Sequence, residues 1–163
     1  MESGKVTTIT SEQLDPEAIT AMVRKDANGA TATFLGTTRD ETEGRAVLHL
    51  EYDIYPTMAY KVFETILDEL TEKWGITQAV IAHRYGHVPI GEISMVVAIG
   101  SPHRKEAFAA CAYAVDRIKE IAPVWKKEFY GDGAEWVGCH TCLLYTSDAA
   151  DDTPCVDLGG RRI

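Results

Sequence analysis

Val47-Leu48-His49-Leu50-Glu51-Tyr52-Asp53-Ile54-Tyr55-Pro56 is a stretch where one periodicity gives way to another. Up to Tyr55 the side chains alternate, with Val47 or Leu48, Leu50, Tyr52 and Ile54 apolar, which is the period of a strand. From Pro56 the repeat lengthens, and Val62, Phe63, Ile66, Leu67, Leu70 and Trp74 fall on one helical stripe. Proline suits the first helical position, where its missing N–H costs nothing. Gly75 then stands where a helix favours a left-handed residue at its end. A strand running straight into a long amphipathic helix places the chain among mixed α and β proteins.

Upstream, Ala30 to Leu35 reads as a strand and Gly36-Thr37-Thr38-Arg39-Asp40-Glu41 as a polar loop. That strand and the one over Val47 to Tyr55 are expected to form a hairpin across the loop containing Gly44. Asp15-Pro16-Glu17 has the residue types of a helix start, with Ile19, Met22 and Val23 as its apolar face and Asn28-Gly29 as its expected end. Downstream, Ala79 to Ala82 and Met95 to Ile99 are apolar runs of strand length. Ser101-Pro102 is expected to open a third helix with Phe108, Cys111, Ala112, Val115 and Ile118 as its buried stripe. Pro123 closes it, and Val124 to Tyr130 reads as a final strand. The sum predicts an α+β fold with a largely antiparallel sheet and helices on one face.

The chain has 163 residues, with 25 acidic against 16 basic side chains and a formal charge of −9. This length buries roughly 70% of the unfolded surface, enough for a core without disulfides or metals. The acidic balance argues against non-specific nucleic-acid binding, which needs a surplus of Lys and Arg. No apolar run approaches the roughly 20 residues of a membrane span. Met1 to Thr8 carries no apolar segment of a secretion signal, and Cys111, Cys139, Cys142 and Cys155 are too few and too C-terminal for a disulfide scaffold. A cytoplasmic protein is expected. Cys142 to Ile163 has neither strand nor helix period, and Leu143 to Asp151 resembles a translated sequencing-library adapter. The working domain is therefore expected over residues 1–138, with residues 139–163 as an unstructured tail.

Three segments concentrate cations. Ser101-Pro102-His103-Arg104-Lys105 places three basic residues in the first turn of an expected helix, where free N–H groups and a positive dipole end favour an anion. Lys119 falls on or beside that helix's apolar stripe. It reads either as a lysine with a buried stem and wet head, or as an amine held among other cations and available as base or nucleophile. Lys126 and Lys127 follow Trp125 in a strand, so alternation puts them on opposite faces. Arg39 in the polar loop matters only if folding brings it to these groups. The single Cys139-His140-Thr141-Cys142 lacks the four ligands of a structural zinc site, and His83 and His87 share no helical face. No phosphate-binding glycine loop and no serine-nucleophile motif is present.

Five segments in this order and spacing resemble the large, catalytic subunit of the molybdopterin synthase family. They are Phe34 to Arg39; Leu50-Glu51-Tyr52 with Tyr55 to Ala59; His83 to Gly86; Ser101 to Arg104; and Ala122 to Glu128. The resemblance covers about residues 28–138. It implies an α/β-hammerhead with an added antiparallel β subdomain, and a homodimer in which each copy binds one small ubiquitin-like subunit. That subunit would end in a Gly-Gly thiocarboxylate. The implied reaction converts cyclic pyranopterin monophosphate to molybdopterin by two sulfur transfers that build a dithiolene, with no metal or other cofactor in the large subunit. Position by position, the resemblance implies catalytic roles for Lys119 and Lys126. It implies substrate contacts from Thr37, Thr38, Arg39, His103, Arg104, Lys127 and Glu128. Two other functions compete: a dimeric module that binds a phosphopterin or nucleotide without reaction, and a scaffold for a ubiquitin-like partner.

Overall fold

A computed structural model describes residues 4–137. The adapter-like stretch and the Cys139–Cys142 motif lie outside the described residues. A four-stranded sheet runs in the order β1-β5-β7-β2, built from β1 (Gly4–Thr10), β2 (Ala30–Thr37), β5 (Gln78–Arg84) and β7 (Ile93–Ser101). A five-stranded sheet runs β3-β4-β8-β9, with β6 also paired to β4; its strands are β3 (Glu41–Thr42), β4 (Arg45–Ile54), β6 (Gly86–Pro89), β8 (Val124–Tyr130) and β9 (Gly133–Val137). Only the β1–β5 pairing among the described ladders is parallel. The helices are α1 (Pro16–Val23), α2 (Pro56–Trp74) and α3 (Arg104–Ile121).

The strand-to-helix switch at Pro56 is present, and Gly75 caps α2 with φ 67°. Phe63, Ile66, Leu67 and Leu70 are buried on its stripe, with Val62 and Trp74 packed at the margin. The expected hairpin between the Ala30 strand and the Val47 strand does not form. β2 pairs with β7 in one sheet and β4 with β8 in the other. The hairpin is local instead: β3 and β4 turn at Glu43-Gly44, both with positive φ.

Helices cover both faces of the first sheet, not one. Val80, Ala82, Val96 and Ala98 pack toward α1, whereas Ala79, Ile81, Val97 and Ile99 join the main core with α2 and α3. A strand covered on both sides is apolar at every position, which explains the unbroken runs at 79–82 and 95–99. Gly100 allows the close approach of α1, since a Cβ there would lie 2.3 Å from the Val23 carbonyl oxygen.

Two helix boundaries differ from expectation. α1 stops at Val23, whose carbonyl accepts from the Asn28 side-chain amide at 3.0 Å. Ser101 remains in β7, paired with Ala30, so α3 begins at Arg104 with His103 as its N-cap. The α3 stripe is shifted to match: Ala107, Ala110, Cys111, Ala114, Val115 and Ile118 are buried, while Phe108 is 67% exposed and Ala112 is exposed.

Candidate active site

The two sheets and the end of α3 enclose an open cavity of about 550 Å³. Such a volume is in the range of small-molecule sites. Arg39 reaches it from the loop after β2, Lys119 from the last turn of α3, and Lys126 from β8. Phe34, Met95 and Ile118 supply apolar wall, and Thr37 stands at the rim with Leu35 and Gly36. Three separate elements, the loop after β2, α3 and β8, thus deliver three cations to one concave surface.

The cations differ in their surroundings. Lys126 is half-buried and its ammonium lies 3.0 Å from Glu128, which is 2% exposed. Burial pushes the Glu128 carboxyl up, but hydrogen bonds from Tyr130 and Lys126 and the Lys126 charge outweigh it, holding the group below the ordinary carboxylate range. Tyr130 donates its hydroxyl to Glu128 at 2.6 Å. Lys126 is therefore a fixed cation with a buried counter-charge beneath it. Lys119 is exposed, and among the described residues its ammonium has no hydrogen-bond or ion-pair partner. It is the lysine free to move toward a bound group.

Three further residues line the cavity without having been singled out for a role by sequence. Tyr52 lies directly across the β4–β8 ladder from Lys126. Burial raises its hydroxyl pKa, with the nearby Glu128 charge acting the same way and a hydrogen bond with Ser94 opposing. His83 is buried and packs edge-on against Tyr52, with ring centroids 5.1 Å apart. Burial depresses its pKa to about 4, although a bond to the Arg84 backbone works against this. His83 Nδ1 lies 2.9 Å from the Arg84 carbonyl oxygen. A carbonyl can only accept, so Nδ1 carries the proton and Nε2 is left as an acceptor. Ser94 donates to the Gly36 carbonyl and completes this neutral, polar wall. Strand alternation placed Tyr52 with Lys126 once their register was known; no sequence feature supplied that register.

The other expected residues do not meet in the cavity of their own chain. His103 and Arg104 are exposed at the start of α3. Lys119 is near the other end of the helix, about 22 Å away at the usual helical rise. Thr38 is buried and does not line the cavity; its backbone bonds to Glu92 and Gly91 fix the base of the Arg39 loop. Lys127 is on the opposite face of β8, with its ammonium over the rings of Phe129 and Trp136. Glu128 sits below Lys126 rather than on the cavity surface.

The MoaE protein family matches residues 9–121. The chain belongs to the MoaE family. It is 45% identical over 130 residues to the "Molybdopterin synthase catalytic subunit" of Bacillus subtilis, covering 80% of this chain and 83% of that protein. The crystal structure of molybdopterin synthase from Staphylococcus aureus aligns with a TM-score of 0.78 and 41% identity, covering 80% of this chain and 96% of that one. The MoaE protein of Burkholderia ambifaria aligns with a TM-score of 0.71 and 31% identity, covering 96% and 99%. The α/β architecture with its second, antiparallel sheet is thus the MoaE fold. Among the described residues no helix is long and apolar enough to cross a membrane.

Proposed function

We propose that this MoaE chain is the catalytic subunit of a molybdopterin synthase. The observation that carries the reading is the convergence of Arg39, Lys119 and Lys126 on one cavity, in a chain 45% identical to a protein of that name. Its substrate is cyclic pyranopterin monophosphate. Its sulfur source is a small ubiquitin-like subunit whose C-terminal Gly-Gly thiocarboxylate enters the cavity, and the assembly is a homodimer carrying two such subunits in the cytoplasm.

The geometry divides the work. Arg39 and Lys126 are cations suited to the phosphate and to negative charge developing on oxygen as sulfur is delivered, and Lys126 is held in place by its ion pair with Glu128. The Glu128 carboxylate fixes where Lys126 stands. Lys119, exposed and without a partner among the described residues, serves as proton donor and acceptor or as transient acceptor of the small subunit's carboxyl terminus. Tyr52, His83 and Ser94 offer uncharged hydrogen-bonding groups to the pterin. Thr37 belongs to the rim of the same cavity. His103 and Arg104, too far from their own Lys119, serve the cavity of the second copy in the homodimer.

Lys119→Ala tests the assignment, because the side chain is exposed and its removal leaves the core intact. With thiocarboxylated small subunit and cyclic pyranopterin monophosphate, dithiolene formation should fall at least about 100-fold, the scale of a lost acid–base group. Binding of the small subunit should persist. Product formation near the unsubstituted rate would refute the role of Lys119. Substrate binding without any product from the unsubstituted chain would refute the enzyme reading.

A further inference from the structure

The second sheet has an outer face that the cavity does not use. On β4, His49 and Glu51 are two residues apart and share that face, while Leu50 and Tyr52 point inward. On β6, His87 stands directly across from Glu51 in the β4–β6 ladder. The imidazole nitrogens of His49 and His87 and the Glu51 carboxylate oxygen all lie within 4.8 Å of one another. We propose that His49, Glu51 and His87 form a binding site for a divalent transition-metal ion of the zinc class.

The donor set is the first argument. Two imidazoles and one carboxylate are the ligands preferred by borderline ions such as Zn²⁺, and three protein ligands leave a fourth position for water. The second argument is preorganisation. The His49 ring stacks on Phe129 with centroids 4.3 Å apart and planes 16° from parallel, which fixes its plane. Both strands are anchored in one sheet, so the ligand backbones are already in place. The third is that these groups have no better partners. His49 Nε2 is 3.9 Å from the Glu51 oxygen, beyond hydrogen-bond distance, and among the described residues none of the three side chains makes a hydrogen bond. The His49 and His87 ring centroids are 4.3 Å apart with planes tilted by 42°, close enough for both imidazoles to reach one ion.

Coordination bonds of about 2.0–2.2 Å require each donor to move inward by less than about 1 Å. Glu51 and His87 are exposed and free to do so. Lys127 is across from Glu51 on β8, but its ammonium lies over the Phe129 and Trp136 rings. The site is separated from the cavity by the thickness of β4. It stands whether or not the chain transfers sulfur.

The test is zinc titration of the tag-free full chain by calorimetry, with a chromophoric chelator as competitor. The unsubstituted chain should bind one equivalent that H49A and H87A weaken at least about tenfold, and that E51Q weakens too. His87 is exposed, so H87A keeps the circular dichroism and melting profile of the parent. C139S/C142S, which removes both cysteines of the Cys139-His140-Thr141-Cys142 stretch, should retain the site. Equal zinc affinity in the parent, H49A and H87A, loss of the site in C139S/C142S, or no zinc bound by the parent would each overturn the proposal.

Discussion

Lys126 and Lys127 are chain neighbours that fold into different environments. One lies above a buried carboxylate at the cavity; the other covers two aromatic rings on the far side of the same strand. Glu128→Gln should therefore act on the cavity through Lys126. It removes the counter-charge beneath a half-buried ammonium and weakens the bond from Tyr130. A loss of about 1–3 kcal/mol in denaturant unfolding is expected, with a rise in substrate KM. His83 gives a pH signature of its own. The unfolded chain binds a proton near the ordinary value of 6.5, but the folded chain does so only near 4. Stability from neutral His83 is complete above pH 6.5, declines as pH falls through that window, and is gone below 4. Its upper size is about 3 kcal/mol. His83→Gln removes the titration, so the stability difference between parent and variant should shrink from pH 7 to pH 4 in matched urea melts. A constant difference across that range would show that His83 does not titrate as the structure implies.

Elements are positioned by what covers them. β5 and β7 are buried on both faces, and α1 rests on β7 at Gly100. Gly100→Ala places a methyl group against the Val23 carbonyl oxygen and against the Asn28 side-chain amide that donates to it, so both the end of α1 and its hydrogen bond must shift. Destabilisation of about 1–3 kcal/mol is expected, as for overpacking elsewhere, read as a lower urea midpoint. Gly75→Ala meets no atom within 4 Å, yet φ 67° strains any Cβ there, so a smaller loss of about 1 kcal/mol is expected. The unbroken apolar runs at 79–82 and 95–99 announce two-sided burial. The helices' own patterns do not say which face each one takes. Hence the expectation of helices on one side failed, although every major helix and most strands were legible.

At the scale of the whole molecule, the 22 Å or so between Arg104 and Lys119 sets a stoichiometric test. If His103 and Arg104 serve the second copy's cavity, H103A/R104A and K119A chains are each inactive alone. Refolded together in equal amounts, they form mixed dimers with one intact site, restoring about a quarter of the parental sulfur transfer. If the residues act within one chain, mixing restores nothing. The domain expected over residues 1–138 makes a second prediction. A chain ended after Gly138 should keep the parental melting temperature within about 2 °C, because the apolar clusters among the described residues reach no further along the chain than Tyr130.

Sequence alone determined the elements that depend on neighbours a few residues away. The Pro56 start and Gly75 end of α2, the β8 bounds and the opposite facing of Lys126 and Lys127 all follow from local periodicity and backbone preference. The family resemblance pointed to Arg39, Lys119 and Lys126, but nothing in their spacing showed them at one cavity. Tertiary structure decided strand partners, and with them the site. The register of β4 against β8 sets Tyr52 opposite Lys126 and buries Glu128 beneath it; the register of β4 against β6 sets His87 beside Glu51. Pairing between distant strands is fixed by the packing of both sheets at once, so it is written in no single stretch of the chain.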